Sequence, residues 1–231
     1  MTDYINGTRI CENGEFHHPS LCGGIIYTLY ELQSRSFSEH SFFMEKRMNI
    51  CALFGGPHKK GNTATLLENV LEGARSVGHE THRLDVAGMD IRPCKGCMGC
   101  KSPKAEGCVQ HDDMGQILDA VKAADVLILA SPMYWWNLAG PLKNVVDRFF
   151  SLPFNARAEQ SAFAGKKLML VMTSGQPAVS DGREGLELIL AKMCEFTGMT
   201  WLGTVTTGTG STPLSEQQNV LKAAREAGTT L

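Results

Sequence analysis

From residue 48 onward the hydrophobic positions alternate between two patterns. Residues 49–54 (NICALF) form a mostly apolar run that reads as a first strand, followed by a glycine-rich turn. Leu66, Leu67, Val70, Leu71 and Ala74 then recur at the spacing of one helix face. Residues 79–86 predict a second, more exposed strand at a sheet edge, on which His79 and His82 alternate. A helix enters at Asp112–Asp113, with Ile117, Leu118 and Val121 on its buried face and Asp113/Gln116 as a capping pair. Residues 125–131 (DVLILAS) are continuously apolar, as expected of a central parallel strand covered on both sides. A helix over 138–150, a strand over 167–173, a helix over 186–196, a strand over 201–206 and a helix over 214–227 complete the pattern.

Five strands alternating with helices imply an α/β fold, a doubly wound five-stranded parallel sheet. Such sheets bind ligands beyond the carboxyl ends of their strands. The unusual segments all lie just after strands: GGPHKKGNT, PCKGCMGCKSPKAEGC, SPMYWWN and TSGQPA. They are expected to meet at one edge.

The spacing Gly56-x4-Gly61 is similar to a nucleotide-binding P-loop, but Asn62 and Thr63 follow in place of Lys and Ser or Thr. A triphosphate with magnesium would miss that lysine. A monoester phosphate held by helix N-terminal N–H groups, the Thr63 hydroxyl and the Asn62 amide would not. The loop alone is equally compatible with an ordinary capped helix start. Tyr134-Trp135-Trp136 directly follows the buried strand, and three adjacent aromatics cannot all face one core, so at least one faces a ligand or a partner. A packing cluster under the next helix is the competing reading.

At 231 residues and 43% hydrophobic content, the chain can bury a full core, most simply as one domain with an appendage. A net charge of −2 gives no reason to expect nucleic acid or an acidic membrane surface as partner. No apolar run approaches a membrane span, and the first residues lack the basic start and apolar core of a signal peptide, so a cytoplasmic location is expected. Residues 1–47 form an irregular extension, with one apolar patch at 25–32 compatible with a short helix. Met44 and Met48 flank a Glu-Lys-Arg run whose codons are largely purine; the expectation is that Met48 is the natural start. The competing expectation is an arm that covers a neighbouring subunit.

Four of the eight cysteines fall within an insertion at 93–108: Cys94-x2-Cys97-x2-Cys100-x7-Cys108. In a reducing compartment this points to a metal or redox site rather than a disulfide framework. The close triple resembles ferredoxin-type ligation of one cubane. Gly96, Gly99 and Gly107 permit tight turns there, and Arg92, Lys95, Lys101 and Lys104 would offset thiolate charge. A structural zinc usually pairs two C-x2-C elements across a longer loop, so zinc fits this spacing less well. Free thiols are the third alternative. Cys51 and Cys194 fall on buried faces as packing residues. TTGTGSTP at 206–213 lacks the dinucleotide fingerprint and takes no cofactor role.

With these segments in place, residues 48–231 resemble the flavodoxin-like NAD(P)H-dependent FMN reductases, and more closely the iron–sulfur flavoproteins of that superfamily. The family's phosphate loop, Gly-Ser-Pro-Arg followed by Gly-Asn-Thr, corresponds here to Gly55, Gly56, Pro57 and His58, then Gly61, Asn62 and Thr63. Gly56 for Ser removes a hydroxyl donor, and His58 for Arg exchanges a fixed charge for a titratable one. The resemblance carries the flavin-edge loop onto Ser131, Pro132, Met133, Tyr134, Trp135, Trp136 and Asn137, and the next loop onto Thr173, Ser174, Gly175 and Gln176. It implies a 4Fe-4S cluster on Cys94, Cys97, Cys100 and Cys108, the last shortly before Asp112, Asp113 and Met114.

The resemblance further implies an FMN-dependent oxidoreductase or electron-transfer flavoprotein, supplied by NAD(P)H or a reduced ferredoxin and assembled as a homodimer or homotetramer. No side chain is assigned an acid–base role, because the cofactor carries the chemistry. The alternatives are a cluster-free reductase of FMN, quinones, nitro or azo compounds, and a non-enzymatic zinc-binding module.

Overall fold

The computed structural model describes residues 46–102, 104–105, 107–152, 161–176, 182–210 and 212–231, with the backbone of two short strands near the start. Those strands, β1 (Tyr4–Ile5) and β2 (Thr8–Arg9), pair antiparallel. The patch at 25–32, Cys11, Cys22 and the other expectations for the extension lie outside the described residues.

The remaining elements are β3 (Asn49–Phe54), α1 (Asn62–Ser76), β4 (Glu80–Asp85), α2 (Met114–Ala123), β5 (Val126–Tyr134), β6 (Asn137–Leu138), α3 (Gly140–Arg148), β7 (Lys167–Ser174), α4 (Glu184–Thr197), β8 (Thr200–Gly208) and α5 (Gln218–Thr229). Five strands pair in the order β4-β3-β5-β7-β8, all parallel, which is the 2-1-3-4-5 arrangement of a flavodoxin-like sheet. β6 adds a short antiparallel turn-back on β5.

Alternation along the central strands sorts their side chains between two cores. Leu53, Leu127, Leu129, Leu168 and Leu170 pack with Ile117, Leu142, Val145 and Leu190 from α2, α3 and α4. Ile50, Ala52, Ile128, Ala130 and Val171 pack with Leu66, Leu67, Val70 and Ala224 from α1 and α5. α1 and α5 meet over glycine: a Cβ on Gly73 would lie 1.9 Å from the Arg225 carbonyl oxygen, and one on Gly228 1.9 Å from that of Val70. In β8 the register against β7 shifts between Leu168 and Leu170, and Gly203, at φ +94°, turns the extra residue out of the ladder.

Five expectations are corrected. β5 continues beyond 131 to Tyr134 because its end is paired by β6. α3 starts at Gly140 and tightens into a 3-10 turn over Phe149–Ser151. The last helix is divided into a 3-10 turn, Leu214–Glu216, and α5. Gln217 separates them, its Nε2 donating to the Thr212 and Gly208 carbonyls at 2.8 and 3.1 Å and its Oε1 accepting from the Thr207 hydroxyl at 2.7 Å. Asp113 does not cap α2; its carboxylate accepts the Asp90 N–H at 2.8 Å, while Asp112 accepts the Met114 N–H at 3.2 Å. His79 is buried rather than exposed, with Nδ1 accepting the Met48 N–H at 3.3 Å.

Candidate functional site

The loop after β3 begins with the Gly55 N–H donating to the Ala130 carbonyl at 2.8 Å and closes with the Gly61 N–H donating to that of His58 at 2.9 Å. No side chain caps α1, so its first N–H groups face outward as a ready anion site. Gly56 lets the loop lie against the sheet: a Cβ there would come within 2.6 Å of the Phe54 ring and 3.3 Å of Pro132 Cδ. Behind the loop, the buried hydroxyls of Thr63 and Thr173 share a hydrogen bond of 2.6 Å. The pair uses one hydroxyl proton internally and keeps the other to donate to an anion. The loop after β7 is braced from β8: the Thr209 N–H donates to the Ser174 carbonyl at 2.9 Å, and a Cβ on Gly210 would lie 2.2 Å from the Gly175 carbonyl oxygen. Thr209 and Gly210, in a stretch given no cofactor role from its sequence, therefore support the loop after β7.

Beside the first loop opens a cavity of about 290 Å³, walled by Gly55–Pro57, Lys59, Asp85, Tyr134, Ala139 and Pro141. Its charged lining residues, Lys59 and Asp85, are linked to each other and to Arg83 outside the lining. Arg83 Nε donates to Asp85 at 2.7 Å with its guanidinium 4.5 Å over the Phe54 ring, and Lys59 Nζ lies 3.7 Å from the same carboxylate. Of the flavin residues expected from the sequence, Gly56 and Tyr134 line this cavity, while Thr63 and Thr173 meet behind the first loop. His58, Gly61 and Gly175 in the loops, and Asn62, Pro132, Met133, Asn137 and Ser174 at the adjoining element ends, surround it without lining it.

Trp135 and Trp136 do not line the cavity; they form the two-residue turn between β5 and β6, at φ +50° and +57°. A two-residue hairpin with both central residues left-handed usually carries Asn-Gly, because a side chain is strained there. Trp135 is 89% exposed, and Trp136 rests its indole edge against Gly182, where a Cβ would meet Nε1 at 2.8 Å. Trp135→Gly is therefore expected to raise stability by about 1 kcal/mol, since it relieves strain and gives up little buried surface. An unchanged or lower denaturant midpoint would show that the turn stores no strain.

The cysteine segment is pinched at its base. The Asp113 N–H donates to the Asp90 carbonyl at 2.9 Å and the Arg92 N–H to the Asp112 carboxylate at 3.1 Å. Within it Gly96, Met98 and Gly107 have φ of +64°, +57° and +151°, whereas Gly99 is needed for close approach, a Cβ there meeting Val109 at 2.9 Å. Cys94, Cys97, Cys100 and Cys108 all line one cavity of about 30 Å³, together with Arg148 and Phe150. Among the described residues no three His, Cys, Asp or Glu side chains stand close enough to hold a metal. The four thiols thus share a rim but are not drawn together, and Cys94 and Cys97 are exposed. The donor set fits a thiolate-ligated cluster in kind; ligation would draw the outer two inward.

Arg148 lines the cysteine cavity and is the site residue that the sequence pattern missed, although Leu142 and Val145 already mark the buried face on which it falls. Its side chain is 1% exposed, with Nη1 and Nη2 donating to the fully buried Asp112 carboxylate at 2.5 and 2.9 Å. Nη1 also donates to the Arg92 carbonyl at 3.1 Å, and Nη2 to Cys108 Sγ at 3.3 Å. Burial pushes the Asp112 carboxyl up, but Arg148 and the Arg92 and Met114 N–H groups outweigh it and hold it at about 2. Burial likewise pushes the Cys108 thiol up, yet the Gln110 N–H and Arg148 bring it below the ordinary thiol range. Cys51 and Cys194 are core residues whose thiols burial pushes up to about 11.

A flavodoxin-like sheet with an uncapped helix N-terminus, an adjoining cavity and converging loops at its carboxyl edge defines the class of nucleotide-cofactor α/β proteins. The chain belongs to the NADPH-dependent FMN reductase family, whose model matches residues 48–205. An iron–sulfur flavoprotein of Archaeoglobus fulgidus is 35% identical over 101 residues, 44% of this chain and 48% of that protein. The chain thus spans about half the length of that relative. An FMN-dependent NADH:quinone oxidoreductase of Methylorubrum extorquens is 26% identical over 170 residues, covering 67% of this chain and 83% of that protein. The solved NAD(P)H:quinone oxidoreductase of Methanothermobacter marburgensis superposes with a TM-score of 0.58 at 20% identity, over 80% of this chain and 97% of its own. Among the described residues no helix is long and apolar enough to cross a membrane.

Proposed function

We propose that residues 48–231 form an FMN-dependent oxidoreductase that passes electrons between FMN and a 4Fe-4S cluster on Cys94, Cys97, Cys100 and Cys108. The observation that carries this reading is the position of α3. Ala139 and Pro141 at its start wall the cavity beside the glycine loop, and Arg148 at its end walls the cysteine cavity. At about 1.5 Å per residue the two ends lie about 10 Å apart along the axis. One short helix therefore joins both candidate redox sites within a single chain. The family membership and the similarity to an iron–sulfur flavoprotein support the same reading.

When bound, FMN supplies two-electron acceptance and one-electron release, and the cluster supplies a one-electron relay. The chain's own part is to bind and orient. The N–H groups of Asn62 and Thr63 and the Thr63–Thr173 hydroxyl pair take the phosphate, with His58 beside them. The loops at 132–137 and 173–175 hold the ring, with Tyr134 on its wall. NAD(P)H or a reduced ferredoxin is the donor in this reading, and a homodimer or homotetramer the assembly. Thr63→Val is expected to weaken FMN binding about ten- to a hundredfold, because it removes a hydrogen bond to a charged group. Titration of the apoprotein with FMN by fluorescence measures this, and unchanged affinity would place the phosphate elsewhere.

The exposed Cys94 and Cys97 favour a second reading, a cluster-free reductase of quinones, nitro or azo compounds. An absorption spectrum of protein purified without oxygen, with iron, sulfide and zinc assayed on the same sample, separates the cases. Flavin bands with matching iron and sulfide support the relay. Flavin without iron supports the cluster-free enzyme. A colourless, zinc-loaded protein that fails to take up FMN would overturn both.

A further inference from the structure

We infer that Arg148 is a positioning residue of the cysteine site: it fixes Cys108 Sγ by a hydrogen bond and so sets the potential of a cluster held there. The inference rests on the cluster reading above. An arginine that is 1% exposed is costly to keep, and a well-packed apolar side chain of similar volume would usually serve the fold as well or better. The direction of its donors indicates what the charge is for. One edge of the guanidinium is pinned to Asp112 by two bonds, at 2.5 and 2.9 Å. The remaining bonds go to the Arg92 carbonyl, before the first cysteine, and to Cys108 Sγ, the last one, at 3.1 and 3.3 Å. Arg148 therefore clamps both ends of the cysteine segment to α3.

The chemistry follows from the partner. An N–H donor on a ligating thiolate withdraws electron density from sulfur and stabilises the more negative, reduced state, so it raises the potential. Asp112 balances the guanidinium charge, leaving the sulfur with a fixed, directed donor in place of a free cation. Removing Asp112 alone leaves that donor in place and is expected to move the potential up. Removing Arg148 moves it down.

The experiment compares Asp112→Asn with Asp112→Asn/Arg148→Met. Both lack the Arg148–Asp112 ion pair, and only the second lacks the sulfur donor and the positive charge it carries. Iron and sulfide per chain and the cluster midpoint, by anaerobic redox titration followed by electron paramagnetic resonance, are read on each purified holoprotein. The double variant is expected to shift at least tenfold toward the oxidised form at a given potential, about 59 mV lower for one electron. Loss of iron in the folded double variant, with Asp112→Asn retaining it, equally supports the clamp. Equal midpoints at equal iron overturn the role of Arg148 and leave the cluster intact. Iron-free wild-type protein overturns the cluster reading itself, and the inference falls with it.

Discussion

Arg148→Met, made alone, is expected to cost about 3 kcal/mol of folding stability, because it takes from the Asp112 carboxylate its buried countercharge and two hydrogen bonds. That carboxylate is fully buried, and once the Arg148 guanidinium is gone it keeps the Arg92 and Met114 N–H groups and, 3.5 Å away, only the half-exposed Arg92 side chain as countercharge. Chemical denaturation of the holoprotein measures the loss, and a cost below about 1 kcal/mol would mean that water reaches Asp112 and replaces the arginine. Adding Asp112→Asn should recover part of the loss, since the double variant buries no unpaired charge. The pH dependence follows from the same pair. Asp112 is held at about 2 against an ordinary 3.8, so its folded-state pKa is depressed. Its contribution is complete above 3.8 and is lost as pH falls toward about 2. The wild-type protein should therefore lose stability across that window more steeply than Arg148→Met does.

Gly73→Ala should cost about 3 kcal/mol, at the upper end of what overpacking usually does. Helix interiors normally gain from this exchange, because alanine loses less conformational freedom on folding. Here the added methyl would stand 1.9 Å from the Arg225 carbonyl oxygen and 3.1 Å from Gly228 Cα, both backbone atoms that no rotamer change can move. α1 and α5 would have to part, and α1 carries the Asn62–Thr63 terminus proposed for the phosphate. Gly185→Ala in α4 meets nothing within 4 Å and is the control, expected to gain about 0.5 kcal/mol. Paired denaturation curves decide it. Equal effects at the two sites would mean that the seam can relax.

Arg148 and Gly73 matter for one reason: each sits where two distant segments close on one another at the ends of a site-bearing helix. The aromatic turn differs. Its strain is local, yet it was hidden because Tyr134-Trp135-Trp136-Asn137 carries none of the Asn-Gly chemistry by which a hairpin is recognised. A strand ending at 131 followed by a helix from 138 was the natural inference, and only the pairing of Met133 with Leu138 shows the chain turning back.

Local pattern by itself determined the five main strands, the helices between them and the edge at which the strand-to-helix loops meet. Apolar runs such as 126–130 must be covered on both faces, one-face spacings such as 66–74 must lie on a sheet, and parallel strands place every strand-to-helix loop at one end. The glycine loop, the 132–137 and 173–175 loops and the four cysteines were legible for that reason. The tertiary structure alone decided which polar groups face each other. Thr63 meets Thr173 across 110 positions, and Arg148 reaches Asp112 and Cys108 across 36 and 40. It also buried His79 and tied Gln217 to the end of β8. A hydrophobic period records which face of an element is covered. It holds no information about which distant donor or acceptor will be waiting there, because that depends on the packing of elements whose spacing no local segment encodes.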